Sequence, residues 1–248
     1  MMECVEEWVM ENKEKIELEL EIMGKGYDFF ATTAGKLNPV LEAVLIFSKE
    51  ILSNPESKDV KYLTELFEKV NQKLEAVKNE IDSIYREMEK SSINKKYFEA
   101  EARILSQYKI YLEFVNASTK FKESSKRTFI RHFQATKGDL SLLTLYNMVI
   151  GDNPSGESVL ETVLVTEERS RRAVEEFCAH LKKLFFMGLI AVIGHASLED
   201  QAAGKLLLKE WGEKMEEVER RMKAAVDDCT NNFAAQARTD MENQLQEK

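Results

Sequence analysis

The chain has 248 residues with Gly 10 and Pro 3. So few chain breakers over that length argue against an all-β fold, which needs many turns, and the length suits one large domain spanning 1–248. Charged residues make up 32% and the net charge is −9. Residues 1–21 hold eight acids and two bases, and residues 199–248 hold twelve acids and eight bases. Acidic ends of this kind exclude general nucleic-acid binding, which needs a basic face to replace counterions.

Residues 3–23 read as an amphipathic helix with Val9, Ile16, Leu20 and Met23 on one side. Gly24 and Gly26 end it, and a short apolar stretch, Tyr27 to Gly35, follows. Asn38-Pro39 opens the next helix, with Asn as N-cap and Pro in the first turn. That helix runs to about Leu52 and is apolar on nearly all sides, so it is expected to be buried. A turn at Ser53-Asn54-Pro55 leads into the sharpest pattern of the chain. Val60, Leu63, Phe67, Val70, Leu74, Val77, Ile81, Ile84 and Met88 hold 3-4 spacing, a heptad seam with Glu and Lys between. A further helix, roughly 95–115, is assigned the seam Phe98, Ala102, Leu105, Tyr108, Leu112 and Val115.

Residues 118–137, STKFKESSKRTFIRHFQATK, hold six bases and one acid. Asp139 is expected to cap the helix LSLLTLYNMVI, which Gly151 stops before the loop GDNPSGES. Ser158-Val159-Leu160-Glu161 fits a capping box. Behind it, Val174, Phe177, Leu181, Leu184, Gly188, Ala191 and His195 again keep heptad spacing. A continuous helix over 159–198 would be about 60 Å long. A last seam, Leu208, Trp211, Met215, Val218, Met222, Ala225 and Cys229, predicts a closing helix of about forty residues. The expected fold is all-α: an elongated antiparallel bundle of long, heptad-patterned helices.

The motifs of common enzymes are missing, and an enzyme is not expected. Gly24-Lys25-Gly26-Tyr27-Asp28-Phe29 lacks the third glycine of a dinucleotide loop, and Gly204-Lys205 lacks the rest of a P-loop. Glu-x-x-His, which places two ligands on one helix face of a di-iron bundle, does not occur at His132, His180 or His195. Glu176 and His180 stand one turn apart without a full ligand set, so neither metal nor cofactor is expected. Cys4, Cys178 and Cys229 offer no disulfide framework. The acidic N-terminus lacks the basic and apolar regions of a signal peptide, which points to a cytoplasmic protein, with peripheral membrane association left open.

Three features stand out as candidate sites. Leu184 to Leu198 is a run of fifteen residues without formal charge. Leu184, Phe185, Phe186, Gly188, Leu189, Ile190, Ala191, Val192, Ile193 and Gly194 form its packing or membrane-entering segment. As a helix the run reaches about 22 Å, short of the ~30 Å of hydrocarbon that about 20 residues span. A buried bundle helix is the first reading, with Gly188, Ala191 and Gly194 admitting a close neighbour and VLEAVLIF at 40–47 as that neighbour. A stable span with snorkelling lysines at 182–183 is the second. A segment that leaves the bundle for a membrane is the third, an architecture that resembles helical pore-forming toxins of the cytolysin A type. His195 lies inside the run, as a core histidine with one hydrogen-bond partner or as a proton-sensitive latch. The basic run supplies a candidate patch for an acidic partner or lipid: Lys120, Lys122, Lys126, Arg127 and Arg131.

Three long stretches resemble the rapunzel family of bony fishes: EEWVMENKEKIE, PVLEAVLIFSKEILSNPESKDVKYLTELFEKVNQKLEAVKNEI and LETVLVTEERSRRAVEEFCAHLKKLFFMGLIAVIGHA. They spread over about residues 5–200. The resemblance implies a non-enzymatic protein connected with fin and skeletal growth control, with innate-immune signalling as a second role. It brings no catalytic residues. The partners expected are proteins, a second copy of the chain, or a membrane, and no nucleic acid.

Overall fold

A computed structural model of the protein describes residues 5–23, 39–76, 93–152 and 156–246. Among them are nine α-helices and one 3₁₀ turn, and no strand. In chain order the helices are α1 (Val5–Met23), α2 (Pro39–Ser53), α3 (Lys58–Ala76), α4 (Ile93–Asn116), α5 (Lys122–Ala135), α6 (Gly138–Ile150), α7 (Val159–Thr166), α8 (Arg171–Glu199) and α9 (Gln201–Gln246). The 3₁₀ turn Thr119–Phe121 joins α4 to α5. The all-α bundle expected from the heptad seams is the fold observed, and its elongation follows from α9, whose 46 residues span about 70 Å. The expectations at Leu20, Met23, Gly24, Gly26, Tyr27 to Gly35, Asn38, and Val77 to Met88 lie outside the described side chains or residues.

The seams do become core. Val60, Leu63, Phe67, Val70 and Leu74 are buried on α3, as are all seven positions from Leu208 to Cys229 on α9. Chain reversals are fixed by short polar side chains. Ser57 Oγ accepts Val60 N–H at 3.1 Å to start α3. Ser158 accepts Leu160 N–H, and its own N–H reaches Glu161 Oε2, which completes the capping box at α7. Asp200 closes α8 with its N–H on Ala196 O at 2.8 Å, and its Oδ1 accepts Ala202 N–H at 3.0 Å to open α9. One residue thus turns α8 back into α9, and the two helices run antiparallel as a hairpin. Gly204 is required at that fold-back, because a Cβ there would lie 2.2 Å from Ser197 Oγ and 2.7 Å from Leu45 Cδ2 of α2.

Three local expectations are corrected. The helix expected over 159–198 is broken at 167–170, where Glu168 and Arg169 take left-handed φ of 48° and 58° and Ser170 accepts Ala173 N–H to begin α8. No Gly or Pro marks that break. It is held by tertiary contacts: α7 buries Val159, Leu160, Val163 and Leu164, and Arg169 Nε pairs with Asp228 Oδ2 at 2.9 Å across to α9. Asp139 is not a cap. Lys137, with φ of 65°, occupies the N-cap position of α6, and Asp139 lies within the first turn, where its charge suits the helix dipole. On α4 the buried face is Tyr97, Glu101, Ile104, Tyr108, Tyr111 and Val115, and Ala102 and Leu105 are exposed.

Candidate functional site

The apolar run sits at the centre of the molecule. α8 packs against α2, α4, α6, α7 and α9, so it is covered on every side. Leu184, Phe185, Phe186, Gly188, Leu189, Ile190, Ala191, Val192, Ile193 and Gly194 are all buried. α8 is long and apolar enough to cross a membrane by length and composition, and 89% of its most apolar stretch is buried inside the bundle. Full burial of a Leu, Ile, Val or Phe side chain stabilises by about 1.5–3 kcal/mol. The seven such residues between Leu184 and Ile193 therefore contribute on the order of 15 kcal/mol, comparable with the whole stability of a typical domain. α8 cannot leave for water without unfolding the bundle.

The small residues face other neighbours than expected. A Cβ on Gly188 would meet Leu142 Cδ1 of α6 at 2.6 Å and Ile104 Cγ2 of α4 at 3.4 Å. A Cβ on Gly194 would meet the Tyr111 ring of α4 at 2.5 Å. α2, the expected neighbour, does pack on α8, but the glycine notches receive side chains of α4 and α6.

Polar groups enter this apolar environment at three places. His180 Nε2 lies 2.6 Å from Glu101 Oε1 and ties α8 to α4. This pairing replaces the Glu176–His180 neighbourhood suggested by spacing, since Glu176 pairs with Arg172 at 3.0 Å. Lys182, 4% exposed, sits inside the bundle rather than snorkelling outward, within electrostatic reach of Glu219 on α9. Burial lifts the Glu219 carboxyl to about 7, with Lys182 pulling it down and Glu216 pushing it up. His195 stacks on Phe133 of α5 at 4.2 Å, and Phe129 stands edge-on at 6.1 Å. Its Nε2 is buried without a hydrogen bond, and the ring packs on Phe133 and Phe129. Burial lowers its pKa, and Glu199, 3.9 Å away, and Asp139 oppose that shift.

The remaining polar interior serves to join helices. Gln107 Nε2 donates to Thr136 O, Thr136 Oγ1 and Gly138 O, pinning the joint between α5 and α6 to α4. Ser106 Oγ and His132 Nε2 stand 2.6 Å apart across α4 and α5. Glu101 and Gln107 were missed in the sequence because a polar residue was taken to mark the solvent face. The signal was available: Tyr97, Glu101, Ile104, Tyr108, Tyr111 and Val115 keep 3-4 spacing through the acid. Among the described residues no group of three His, Cys, Asp or Glu gathers as a metal site would.

The basic run divides into an inner and an outer part. Phe129 and Phe133 of α5 are buried. Lys122 is buried with them: its Nζ donates to Phe114 O at 3.2 Å and Val115 O at 2.5 Å, capping the C-terminal end of α4. Burial draws the Lys122 amine down to about 8. Lys122 therefore leaves the candidate patch. Lys120, Arg127 and Arg131 are exposed, and Lys126 is half-buried with Nζ 3.9 Å from Glu123.

The family model described as the cephalotoxin-like middle helical domain matches residues 53–248. Protein rapunzel of Danio rerio is similar to this chain, 24% identical over 201 residues that cover 80% of this chain and 88% of that protein. The relationship to the rapunzel family read from the three sequence stretches is supported by that alignment. No solved structure matches.

Proposed function

We propose that this chain, which belongs to the cephalotoxin-like middle helical domain family, is a non-enzymatic protein that acts by binding partners at the surface of its helical bundle. We propose further that it acts in fin and skeletal growth control, a role that the resemblance to the rapunzel family supports. One observation carries the non-enzymatic reading. The polar side chains drawn into the interior, Glu101 with His180, Ser106 with His132, Gln107 with Thr136 and Lys122 with the α4 carbonyls, each join one helix to another. Chemistry at such groups would break the bundle that they hold. Rescue of growth in cells or animals lacking the chain tests this. Ser106→Ala, checked for a cooperative melt, should rescue as the parent does, whereas charge reversals on exposed helix faces should not. Loss of rescue by Ser106→Ala with an unchanged melt would overturn the reading.

A membrane-active form is a second reading, favoured by one observation: α8 alone among the described helices has the length and apolarity of a span. In this form the 184–198 segment would exchange its bundle contacts for lipid. Vesicle flotation with dye leakage at pH 7.5 and pH 5 decides it. Absence of leakage at both would end this reading.

A further inference from the structure

A surface corner joins α4 to α5 through the 3₁₀ turn Thr119–Phe121. Asn116 and the run from Ser118 to Phe121 are exposed, so this corner stands out from the bundle. At its tip Phe121 is 56% exposed, although α5 buries its other phenylalanines. Lys120 Nζ lies 5.5 Å from the Phe121 ring centroid. Arg127 and Arg131 follow at one-turn spacing on the outer face of α5, with the Arg127 side chain 69% exposed. Among the described residues, Glu123 lies 4.0 Å from Arg127, and Glu56 of the turn before α3 accepts the Thr119 hydroxyl. Lys120, Lys126, Arg127 and Arg131 thus gather on one face, with Glu123 and Glu56 in contact there, in a chain of net charge −9.

We infer that the corner formed by the 3₁₀ turn 119–121 and the outer face of α5 docks on an anionic lipid surface, with Phe121 entering the headgroup layer and Lys120, Arg127 and Arg131 meeting lipid phosphates and carboxylates. The inference rests on the reading of this chain as a surface-binding protein and names what one face binds. The shape decides for a membrane over an acidic peptide. A peptide needs a groove or a sheet edge to lie along, whereas a protruding aromatic flanked by cations meets a flat, negatively charged surface. Docking of this kind leaves α8 in place.

Cosedimentation of the intact chain with sucrose-loaded vesicles tests it, using pure phosphatidylcholine against a 70:30 mixture with phosphatidylserine. The chain should bind the mixed vesicles, at least tenfold more weakly the neutral ones, and without dye leakage. A cation near an anionic leaflet is worth roughly fivefold in binding, so Arg127→Glu with Arg131→Glu should lower affinity more than tenfold. Phe121→Ser should lower it several-fold, and both variants should melt like the parent. The proposal is overturned by no binding to the mixed vesicles, by equal binding to neutral ones, or by binding indifferent to both variants. It is also overturned if a polyglutamate peptide binds this corner and vesicles do not. None of these outcomes touches the growth-rescue test, which a protein partner elsewhere on the bundle would still pass.

Discussion

Gly194→Ala against Gly212→Ala separates the packing of α8 from simple helix propensity. Both glycines lie inside helices, so alanine should gain each about 1 kcal/mol of helical preference. At Gly212 a Cβ meets nothing within 4 Å, and the gain should appear in full. At Gly194 the Cβ would stand 2.5 Å from Tyr111 Cε2, about 1 Å inside ordinary carbon contact. Tyr111 is fully buried between Phe67, Phe114 and Phe129, with ring centroids at 6.3, 6.2 and 5.3 Å, so the ring has nowhere to swing. Overpacking of this kind costs about 1–3 kcal/mol. The net expectation is a loss of up to about 2 kcal/mol for Gly194→Ala, or up to about 8 °C in Tm for a chain of this size, against a rise of about 2–4 °C for Gly212→Ala. Thermal and urea unfolding followed by circular dichroism measures both. If Gly194→Ala stabilises the chain as Gly212→Ala does, the close approach of α4 to α8 is wrong.

Glu168→Gly should raise the urea midpoint by about 0.5–1 kcal/mol of stability, because glycine relieves the left-handed φ of 48°; a lowered midpoint would mean that the 167–170 break is misplaced. Lys122→Met should cost about 1–3 kcal/mol by leaving the Phe114 and Val115 carbonyls without their donor, and a neutral result would return Lys122 to the surface. Glu19 gives a pH test. Its carboxylate accepts Val40 N–H at the start of α2, but burial, with Glu42 adding, raises its pKa from 4.5 to about 8. The folded chain then holds a proton that the unfolded chain has lost, so this group's contribution is present below pH 4.5 and disappears as pH rises through 8. Glu19→Gln, uncharged throughout, should match the parent at pH 4.5 and exceed it by up to about 5 kcal/mol above pH 8; equal pH profiles would show that Glu19 is solvated.

The long seams were legible because apolar side chains fill their 3-4 positions, as from Val60 to Leu74 on α3, with His195 the one polar member on α8, and from Leu208 to Cys229 on α9. The seam of α4 was displaced because Glu101 is inside it and Gln107 is buried beside it, and an interior polar residue is recognisable only with its partners, His180 and Thr136, which lie 79 and 29 residues away. The break at 167–170 was invisible for a different reason. Its residues are adequate helix formers, and the burial of α7, the Ser170 cap and the Arg169–Asp228 pair accompany the break there. Within the basic run, composition placed Lys122 beside Lys120 and Lys126. The direction of its side chain, inward to the end of α4, depends on where α5 folds.

Hydrogen exchange of the intact chain, in buffer and with vesicles containing phosphatidylserine, tests most directly that the apolar helix is fixed core while function lies on the surface. The slowest exchange in the molecule is expected at 184–194 in both conditions, with lipid-dependent protection confined to 118–131. Rapid exchange at 184–194 in buffer, or a change there with vesicles while 118–131 stays the same, would contradict it.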